Sequence, residues 1–388
     1  MAQPSWIVPL SDVLVDAELR EAVDEAVSSG WWSMGPRVAA FEEAFAHFIQ
    51  APHAIAVANG TAALHIALLA AGCGPGDEVV LPSLNFVAAA NTIGHTGATP
   101  VFCDIVGAEN LNLDPADVEA AITPSTKAVV VLHYAGTPCD MGAMLELADR
   151  YSLVLVEDAA HAPGALWQGH PCGSIGAIGC FSFFSNKNLP LGEGGMVVTA
   201  DDALAESIRL LRSHGMTTLT WDRHRGHAHA YDVLAQGFNY RLDELRAAIG
   251  LVGLQRLAEG NLERENHWHR YQALLAGSDL TVPFQELPAD VTSAYHIAPV
   301  VLPEGIDRNV LRDALAAKGI QTSVHYPPIH RFTEYASSSS RLVPRTEDVA
   351  DRLLTLPLYP HMGEDAVELV AASLLEALER AQPASVAR

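Results

Sequence analysis

"AIAVANGTAALHIALLAAG", residues 54–72, sets a buried strand, a Gly-Thr pair and a helix in immediate succession. Its first six residues are an apolar run, and the remainder is rich in helix formers and closes on a glycine. The same alternation continues to about residue 200, with helices predicted at 85–97 and 142–151 and strands at 76–82, 99–105, 127–136, 153–160, 175–184 and 194–200. This order predicts an α/β fold with a mainly parallel sheet and helices on both faces.

The pattern changes after about residue 260. A long charged helix is predicted at 261–277, followed by a strand at 295–302 and a helix at 308–319. We therefore predict a large domain over residues 1–260, which includes the N-terminal segment, and a smaller α+β domain over residues 261–388.

Composition excludes some function classes. The 388 residues include 23 lysines and arginines against 46 aspartates and glutamates, a net charge of −23. Nothing in that balance supplies the cationic surface of a general nucleic-acid binder, so we expect no such partner. The uncharged stretch 79–103 contains Pro82, Asn85 and Gly94, and it is expected in a buried core and not in a membrane. Five scattered cysteines and no basic leader predict reduced thiols in a cytoplasmic protein.

Gly60 and Thr61 stand where the first strand meets its helix. The free amides of a helix N-terminus, together with a threonine hydroxyl, can bind a phosphate, and the glycine allows close backbone approach. The alternative is that Asn59 or Thr61 only caps the helix.

An acidic pair, Glu157-Asp158, ends the buried strand in "LVLVEDAAHAPGA", residues 153–165. A buried aspartate needs a cationic or hydrogen-bond-donating partner, such as a protonated ring nitrogen. His161 follows on the same predicted turn, where it can contact a cofactor ring or hydroxyl. The alternatives are a capping or salt-bridged carboxylate and a structural histidine.

Lys187 lies among aromatic, small and glycine residues in "SFFSNKNLPLGEGG", residues 182–195. Desolvation turns a lysine amine into a nucleophile that forms Schiff bases with carbonyls, whereas a solvated loop tip is the alternative. A lysine, a strand-end aspartate such as Asp158 and a phosphate-binding helix start together describe a site for pyridoxal 5′-phosphate.

The chain resembles the DegT/DnrJ/EryC1/StrS family of sugar aminotransferases over nearly its whole length. Six motifs carry the resemblance in family order: 58–68, 74–93, 156–165, 181–199, 237–251 and "VHYPPIH" at 324–330. The resemblance implies the type I, aspartate aminotransferase-like fold and a homodimer with active sites shared at the subunit interface.

The resemblance also implies roles for individual residues. Lys187 matches the Schiff-base lysine that also moves the proton, and Asp158 matches the partner of the pyridine nitrogen. The other implied positions are phosphate contacts at Gly60, Thr61 and Ser182, a phosphate contact from the other subunit at Asn239, His161 near the ring hydroxyl, Phe86 stacked on the cofactor, and His325 and Tyr326 in the substrate pocket.

The implied reaction moves an amino group from an amino acid, glutamate being expected, to a keto-sugar on a nucleotide. Family members with histidine in place of the lysine act as dehydratases, and Lys187 therefore favours transamination. The alternatives are a keto-cyclitol or related ring as acceptor, a pyridoxal lyase, and a non-catalytic regulator with the same fold. Retention of both Lys187 and Asp158 speaks against the regulator.

A histidine-rich stretch, residues 212–232, contains His214, His224, His227 and His229, and Arg223 and Arg225 lie beside these histidines. No carboxylate or cysteine is spaced to complete a metal site there, and we predict no metal. The arginines leave two alternatives open, a loop that meets a nucleotide diphosphate or the partner subunit and a solvated loop.

Overall fold

The computed structural model describes residues 6–218, 230–336 and 341–381. Twelve strands lie within these ranges: β1 His53–Val57, β2 Glu78–Pro82, β3 Thr99–Cys103, β4 Thr126–Leu132, β5 Val154–Asp158, β6 Leu166–Trp167, β7 His170–Pro171, β8 Ile178–Ser182, β9 Gly195–Thr199, β10 Val291–Thr292, β11 Ala298–Val301 and β12 Leu353–Leu356.

Twelve α-helices lie within the same described ranges: α1 Ala17–Ser28, α2 Pro36–Phe48, α3 Gly60–Ala70, α4 Ala88–Thr96, α5 Pro115–Ala121, α6 Met141–Tyr151, α7 Asp202–Arg212, α8 Glu244–Leu275, α9 Arg308–Ala317, α10 Thr333–Ala336, α11 Pro344–Ala350 and α12 Glu364–Ala381. Short 3-10 helices occur at Tyr134–Gly136 and Ile329–Arg331.

Seven strands form the central sheet, in the order β1-β9-β8-β5-β4-β2-β3. Six of them run parallel, and β9 is antiparallel to both of its neighbours, so the expectation of a mainly parallel sheet is confirmed. Antiparallel pairing lets β8 and β9 be joined by a loop alone, without the helix that usually connects two parallel strands. That loop carries Lys187.

Both faces of the sheet are covered because strand side chains alternate in direction. In β1, Ile55 and Val57 pack into one apolar cluster with α3, whereas Ala54 and Ala56 pack into another with α2. Helix α3 is buried along most of its length because it lies over the middle of the sheet.

The helix predicted to begin at residue 261 is longer in the structure. Helix α8 begins at Glu244, and the predicted boundary after residue 260 falls inside it. Leu257 packs in a cluster with the central sheet, and Trp268 packs with the C-terminal strands and helices. We propose that the domains divide where α8 passes between these two cores. Val8, from the segment assigned to the first domain, packs in the C-terminal cluster.

The C-terminal part pairs β11 with β12 in an antiparallel sheet, against which α9 and α12 contribute apolar residues. All five cysteines of the chain are buried and unpaired. None of the helices in the described ranges combines the length and the apolar character that a membrane crossing requires.

Candidate active site

A cavity of about 400 Å³ lies at the carboxyl ends of the central strands. Its lining includes nine of the ten residues that the sequence singled out: Gly60, Thr61, Phe86, Asp158, His161, Ser182, Lys187, His325 and Tyr326. These residues come from positions as far apart as 60 and 326, so the tertiary fold assembles them.

The sheet register explains part of this convergence. Asp158 is paired with Leu132 on β4 and with Cys180 on β8, so three parallel strands end side by side. Helix α3 begins at Gly60 beside the end of β8, where a Cβ atom on Gly60 would stand 2.7 Å from the Cβ of Ser182. Only glycine permits this approach of the helix start to the strand end.

Asp158 is 5% exposed, and its carboxylate has two long hydrogen bonds. Asn85 Nδ2 donates to Oδ2 at 3.5 Å, and the Ala160 N–H donates to Oδ1 at 3.3 Å. Burial raises the pKa of Asp158, and the positive charge of Lys187 opposes that rise. The carboxylate therefore retains capacity for a stronger, cationic donor in the cavity.

Glu157 points to the opposite side of β5 and has a structural role. It is fully buried and accepts N–H groups from Gly173 at 2.6 Å, Ile175 at 2.8 Å and Gly176 at 2.5 Å. His133 Nε2 completes the set at 2.9 Å. Of the two acidic residues that end β5, Glu157 is therefore the structural carboxylate.

The amine of Lys187 is held in the loop between β8 and β9. The backbone N–H of Lys187 donates to the Phe184 carbonyl at 2.8 Å, and its Nζ lies 3.5 Å from His296 Nε2. Burial lowers the pKa of Lys187 to about 8, although the charge of Asp158 acts in the opposite direction. Near neutral pH the neutral fraction of this amine is therefore larger than that of an exposed lysine.

His161 has one satisfied ring nitrogen and one without a partner. Its Nε2 is hydrogen-bonded to the Tyr326 hydroxyl at 2.8 Å, whereas its buried Nδ1 has no partner within the described part of the chain. Burial, reinforced by the charge of Lys187, holds the pKa of His161 well below its usual value. Phe86 is 55% exposed, and its ring centre lies 5.7 Å from that of Tyr326.

His325 is more enclosed than its place in the lining implies. It is 7% exposed, its Nδ1 is 3.0 Å from Thr355 Oγ1, and its carbonyl accepts the hydroxyl of Tyr134. Burial lowers the pKa of His325 to about 4. Burial also raises the pKa of Tyr326, helped by Asp158.

Asn239 is the one predicted residue that does not line the cavity of its own chain. It is exposed and forms an isolated β-bridge with Ser213. Asn239 is therefore available for contact with a second copy of the chain.

A family model for the DegT/DnrJ/EryC1/StrS aminotransferase family matches residues 14–375. The chain belongs to this family. The spore coat polysaccharide biosynthesis protein SpsC of Bacillus subtilis (strain 168) is 41% identical over 377 residues, which cover 93% of this chain and 94% of SpsC.

Two solved structures of relatives show the same fold. DesV from S. venezuelae, in complex with a ketimine intermediate, is 37% identical with a TM-score of 0.86, and the match covers 94% of this chain and 95% of DesV. The sugar aminotransferase CalS13 from Micromonospora echinospora is 32% identical with a TM-score of 0.87, with 95% and 100% covered. The predicted fold is confirmed, and the protein is a pyridoxal phosphate-dependent aminotransferase.

The cavity of this family member fits the cofactor on its own geometry. The unpartnered nitrogen of His161 and the weakly bonded carboxylate of Asp158 both require polar partners, and a pyridoxal ring offers a hydroxyl and a ring nitrogen. Asn59 caps the Ala62 N–H of α3 at 2.8 Å, which leaves the N–H groups of Gly60 and Thr61 available to a phosphate. Capping and phosphate binding are therefore compatible at this helix.

Three residues at the site were missed by sequence reasoning. Asn85 and Glu193 line the cavity, and the buried His296 lies beside the Lys187 amine. Asn85 is the third residue after β2, so its position after a strand end was a usable signal. His296 is 109 residues from Lys187 in sequence, and no spacing rule connects the two.

A buried group of possible metal ligands, His133, Glu157 and Cys172, lies within 4.8 Å. The Cys139 N–H donates to His133 Nδ1, and the other ring nitrogen is bonded to Glu157, whose oxygens also accept backbone N–H groups. These hydrogen bonds already use the ligand atoms of the histidine and the carboxylate. The predicted alternatives for His224, His227, His229 and the two neighbouring arginines fall on residues 219–229, outside the described ranges.

Proposed function

We propose that this protein transfers an amino group from glutamate to a keto-sugar carried on a nucleotide. The observation that carries the proposal is the convergence of the Lys187 amine, the Asp158 carboxylate and the α3 N-terminus on one cavity of about 400 Å³. The description of CalS13 as a sugar aminotransferase and the role of SpsC in polysaccharide biosynthesis support a sugar acceptor.

Lys187 acts in this proposal as the nucleophile and as the base. With its pKa near 8, about a tenth of the amine is unprotonated at pH 7 and can accept a proton at Nζ. When bound, pyridoxal phosphate supplies an aldehyde for amine attachment and a ring that accepts an electron pair.

Asp158 would pair with the charged ring nitrogen of the cofactor, and the N-terminus of α3 would bind the cofactor phosphate. The buried carboxylate can accept a strong hydrogen bond from a protonated ring nitrogen, and the charge of that partner offsets the cost of burial. The phosphate is received by the free N–H groups at Gly60 and Thr61 and by the Thr61 and Ser182 hydroxyls. His161 would meet the ring hydroxyl, and His325 and Tyr326 are assigned to the substrate pocket.

A spectroscopic experiment tests the donor and the lysine. Glutamate should bleach the visible absorbance of the purified holoenzyme, and a nucleotide keto-sugar should restore it. Lys187→Ala should remove both responses, whereas Lys318→Ala, which alters an exposed lysine paired with Glu376, should leave them unchanged. If the Lys187→Ala protein turns over like the parent, the proposed role of the lysine is wrong. If only keto-cyclitols restore the colour, the sugar acceptor is wrong.

We also propose that the enzyme works as a homodimer in which Asn239 of each protomer reaches the partner's phosphate site. The exposure of Asn239 and its absence from the lining of its own cavity support this arrangement. Mixing Lys187→Ala and Asn239→Ala proteins under subunit exchange should restore roughly a quarter of parental activity, because half the dimers then hold one intact site. No recovery, despite detected hybrid dimers, would contradict shared sites. The unpaired state of the five cysteines favours the predicted cytoplasmic location.

A further inference from the structure

His296 contacts the amine of Lys187 but does not line the 400 Å³ cavity. The distance from His296 Nε2 to Lys187 Nζ is 3.5 Å, and His296 is 2% exposed. Within the described ranges, this imidazole nitrogen is the one hydrogen-bonding partner of Nζ. The ring of His161 packs against the same imidazole, with ring centres 4.4 Å apart.

A chain of amides fixes which nitrogen of His296 carries the proton. The Pro163 carbonyl can only accept, so Asn261 turns its Nδ2 toward that carbonyl at 2.9 Å and its Oδ1 toward Asn188. Asn188 Nδ2 then donates both to Asn261 Oδ1 at 2.8 Å and to the Ala294 carbonyl at 2.7 Å. Asn188 Oδ1 must therefore accept from His296 Nδ1 at 2.8 Å. In the neutral ring, Nε2 is left without a proton and faces Lys187.

The surroundings keep this imidazole neutral. The titratable groups that face His296 are Lys187, His161, Arg264 and His325, all of which are positively charged when protonated. The Arg264 guanidinium also donates to the His296 carbonyl at 3.2 Å. Burial, together with the charges of Lys187 and Arg264, holds the pKa of His296 well below its usual value. Nε2 consequently offers a lone pair throughout the neutral range.

We propose that His296 is a positioning residue that accepts a hydrogen bond from the amine of Lys187 whenever that amine is free. One N–H of the amine donates to the bare Nε2, which turns the amine lone pair away from His296. Asn188 acts through His296 by fixing its tautomer. The inference rests on the role proposed above for Lys187 and adds the group that holds its amine between steps.

The proposal has a measurable consequence that does not depend on turnover. A hydrogen-bond acceptor stabilises an ammonium more than a neutral amine, so His296 opposes the depression of the Lys187 pKa by burial. Loss of the acceptor should lower that pKa further, by about one unit. The chain has three lysines, Lys127, Lys187 and Lys318, so the signals of ε-¹⁵N-labelled lysine can be followed individually.

The experiment is a pH titration of the Lys187 ¹⁵N signal in the full chain without added cofactor, assigned with Lys187→Ala. It compares the parent with His296→Leu, which removes the acceptor, and with His296→Gln, which restores an acceptor at similar reach. His267→Gln is the matched control, because His267 is also buried but bonds the Pro360 carbonyl and does not contact Lys187. A lower pKa in the leucine variant, recovered by at least half in the glutamine variant and unchanged in the control, supports the proposal.

An unchanged Lys187 pKa in His296→Leu overturns the proposal, as does an equal shift in all three variants, which would indicate only disturbed packing. If the leucine variant does not fold, Asn188→Ala gives the second test, because it frees the imidazole to present an N–H to the amine. The Lys187 pKa should then also fall, and a parental value refutes the inference. These outcomes are independent of the glutamate response, so failure of the positioning role and failure of the proposed function are distinguishable.

Discussion

Gly60→Ala tests whether the start of α3 and the end of β8 must touch. A Cβ atom at residue 60 would lie 2.7 Å from Ser182 Cβ, 3.0 Å from Ser182 Oγ and 3.2 Å from Ser182 Cα. These distances are well inside ordinary van der Waals contact, and one of the three atoms is backbone. The clash cannot be relieved by rotating the serine side chain alone, so the helix start or the strand end must move.

The magnitude follows from opposing effects. Overpacking of this kind costs about 1–3 kcal/mol, and the helix propensity of alanine returns about 0.5–1 kcal/mol. We therefore expect net destabilisation of about 1–2 kcal/mol. Movement of the N–H groups at residues 60 and 61 should weaken pyridoxal phosphate binding by about tenfold or more, which corresponds to roughly 1.4 kcal/mol.

The assay measures the thermal unfolding midpoint and the Kd for pyridoxal phosphate, the latter from the visible absorbance. Gly94→Ala is the matched control, because Gly94 lies in α4, where an added Cβ atom would meet nothing within 4 Å, and this variant should gain about 0.5–1 kcal/mol. Ser182→Gly should restore stability to the Gly60→Ala protein by removing two of the clashing atoms, but it should not restore the hydroxyl contact. If Gly60→Ala behaves like Gly94→Ala in both measurements, the close-approach reasoning is refuted.

Three further predictions concern buried charges at and near the site. Asp158→Asn should leave the fold intact and slow bleaching by glutamate on the order of 10²-fold or more, and a parental rate in stopped-flow absorbance would contradict its role. Glu157→Gln should destabilise the protein by about 2–3 kcal/mol, because an amide replaces a charged acceptor of three backbone N–H groups; an unchanged unfolding midpoint would show that this network contributes nothing. The pKa of Lys187 is about 8 in the folded state, below its unfolded value of about 10.4. Between these two pH values the unfolded state binds more protons than the folded state. The free energy of unfolding of the cofactor-free protein should therefore rise with pH up to about 10.4. Lys187→Met should remove that rise and stabilise the protein at pH 7 by up to about 3 kcal/mol, and a parental pH slope in thermal unfolding would argue against a buried charge.

Local patterns were sufficient to predict most of the central sheet. The apolar run that precedes Gly60 and the one that ends in Asp158 are strands because short, buried, uncharged segments between helix-forming stretches have few other stable states. The bounds of α8 were less accessible. Its start carries a capping signal, because the Asp243 side chain accepts the Arg246 N–H, but Gly250, Gly253 and Gly260 interrupt the helix-forming residues that follow. The first half of the helix is stabilised by packing on α1 and α2.

The acidic pair on β5 shows what a local pattern leaves open. Alternation along a strand states that Glu157 and Asp158 face opposite sides of the sheet, but it does not state what each side holds. In the structure, Glu157 accepts N–H groups from a loop, whereas Asp158 lines an open cavity. The backbone N–H partners of Glu157 lie 16–19 residues away, in a segment whose turn positions no periodicity predicts.

The sequence by itself predicted the parallel-sheet architecture and the family, and it singled out Lys187 and Asp158 as the proposed chemical pair, because these follow from short-range patterns and motif order. Only the tertiary structure decided that Asn239 lies outside its own cavity and that His296 lies against the Lys187 amine. The positions of these two residues depend on which strand ends and loops, distant in sequence, pack together at the edge of the sheet. The geometry of that meeting is set by packing of the whole chain, which no local stretch encodes.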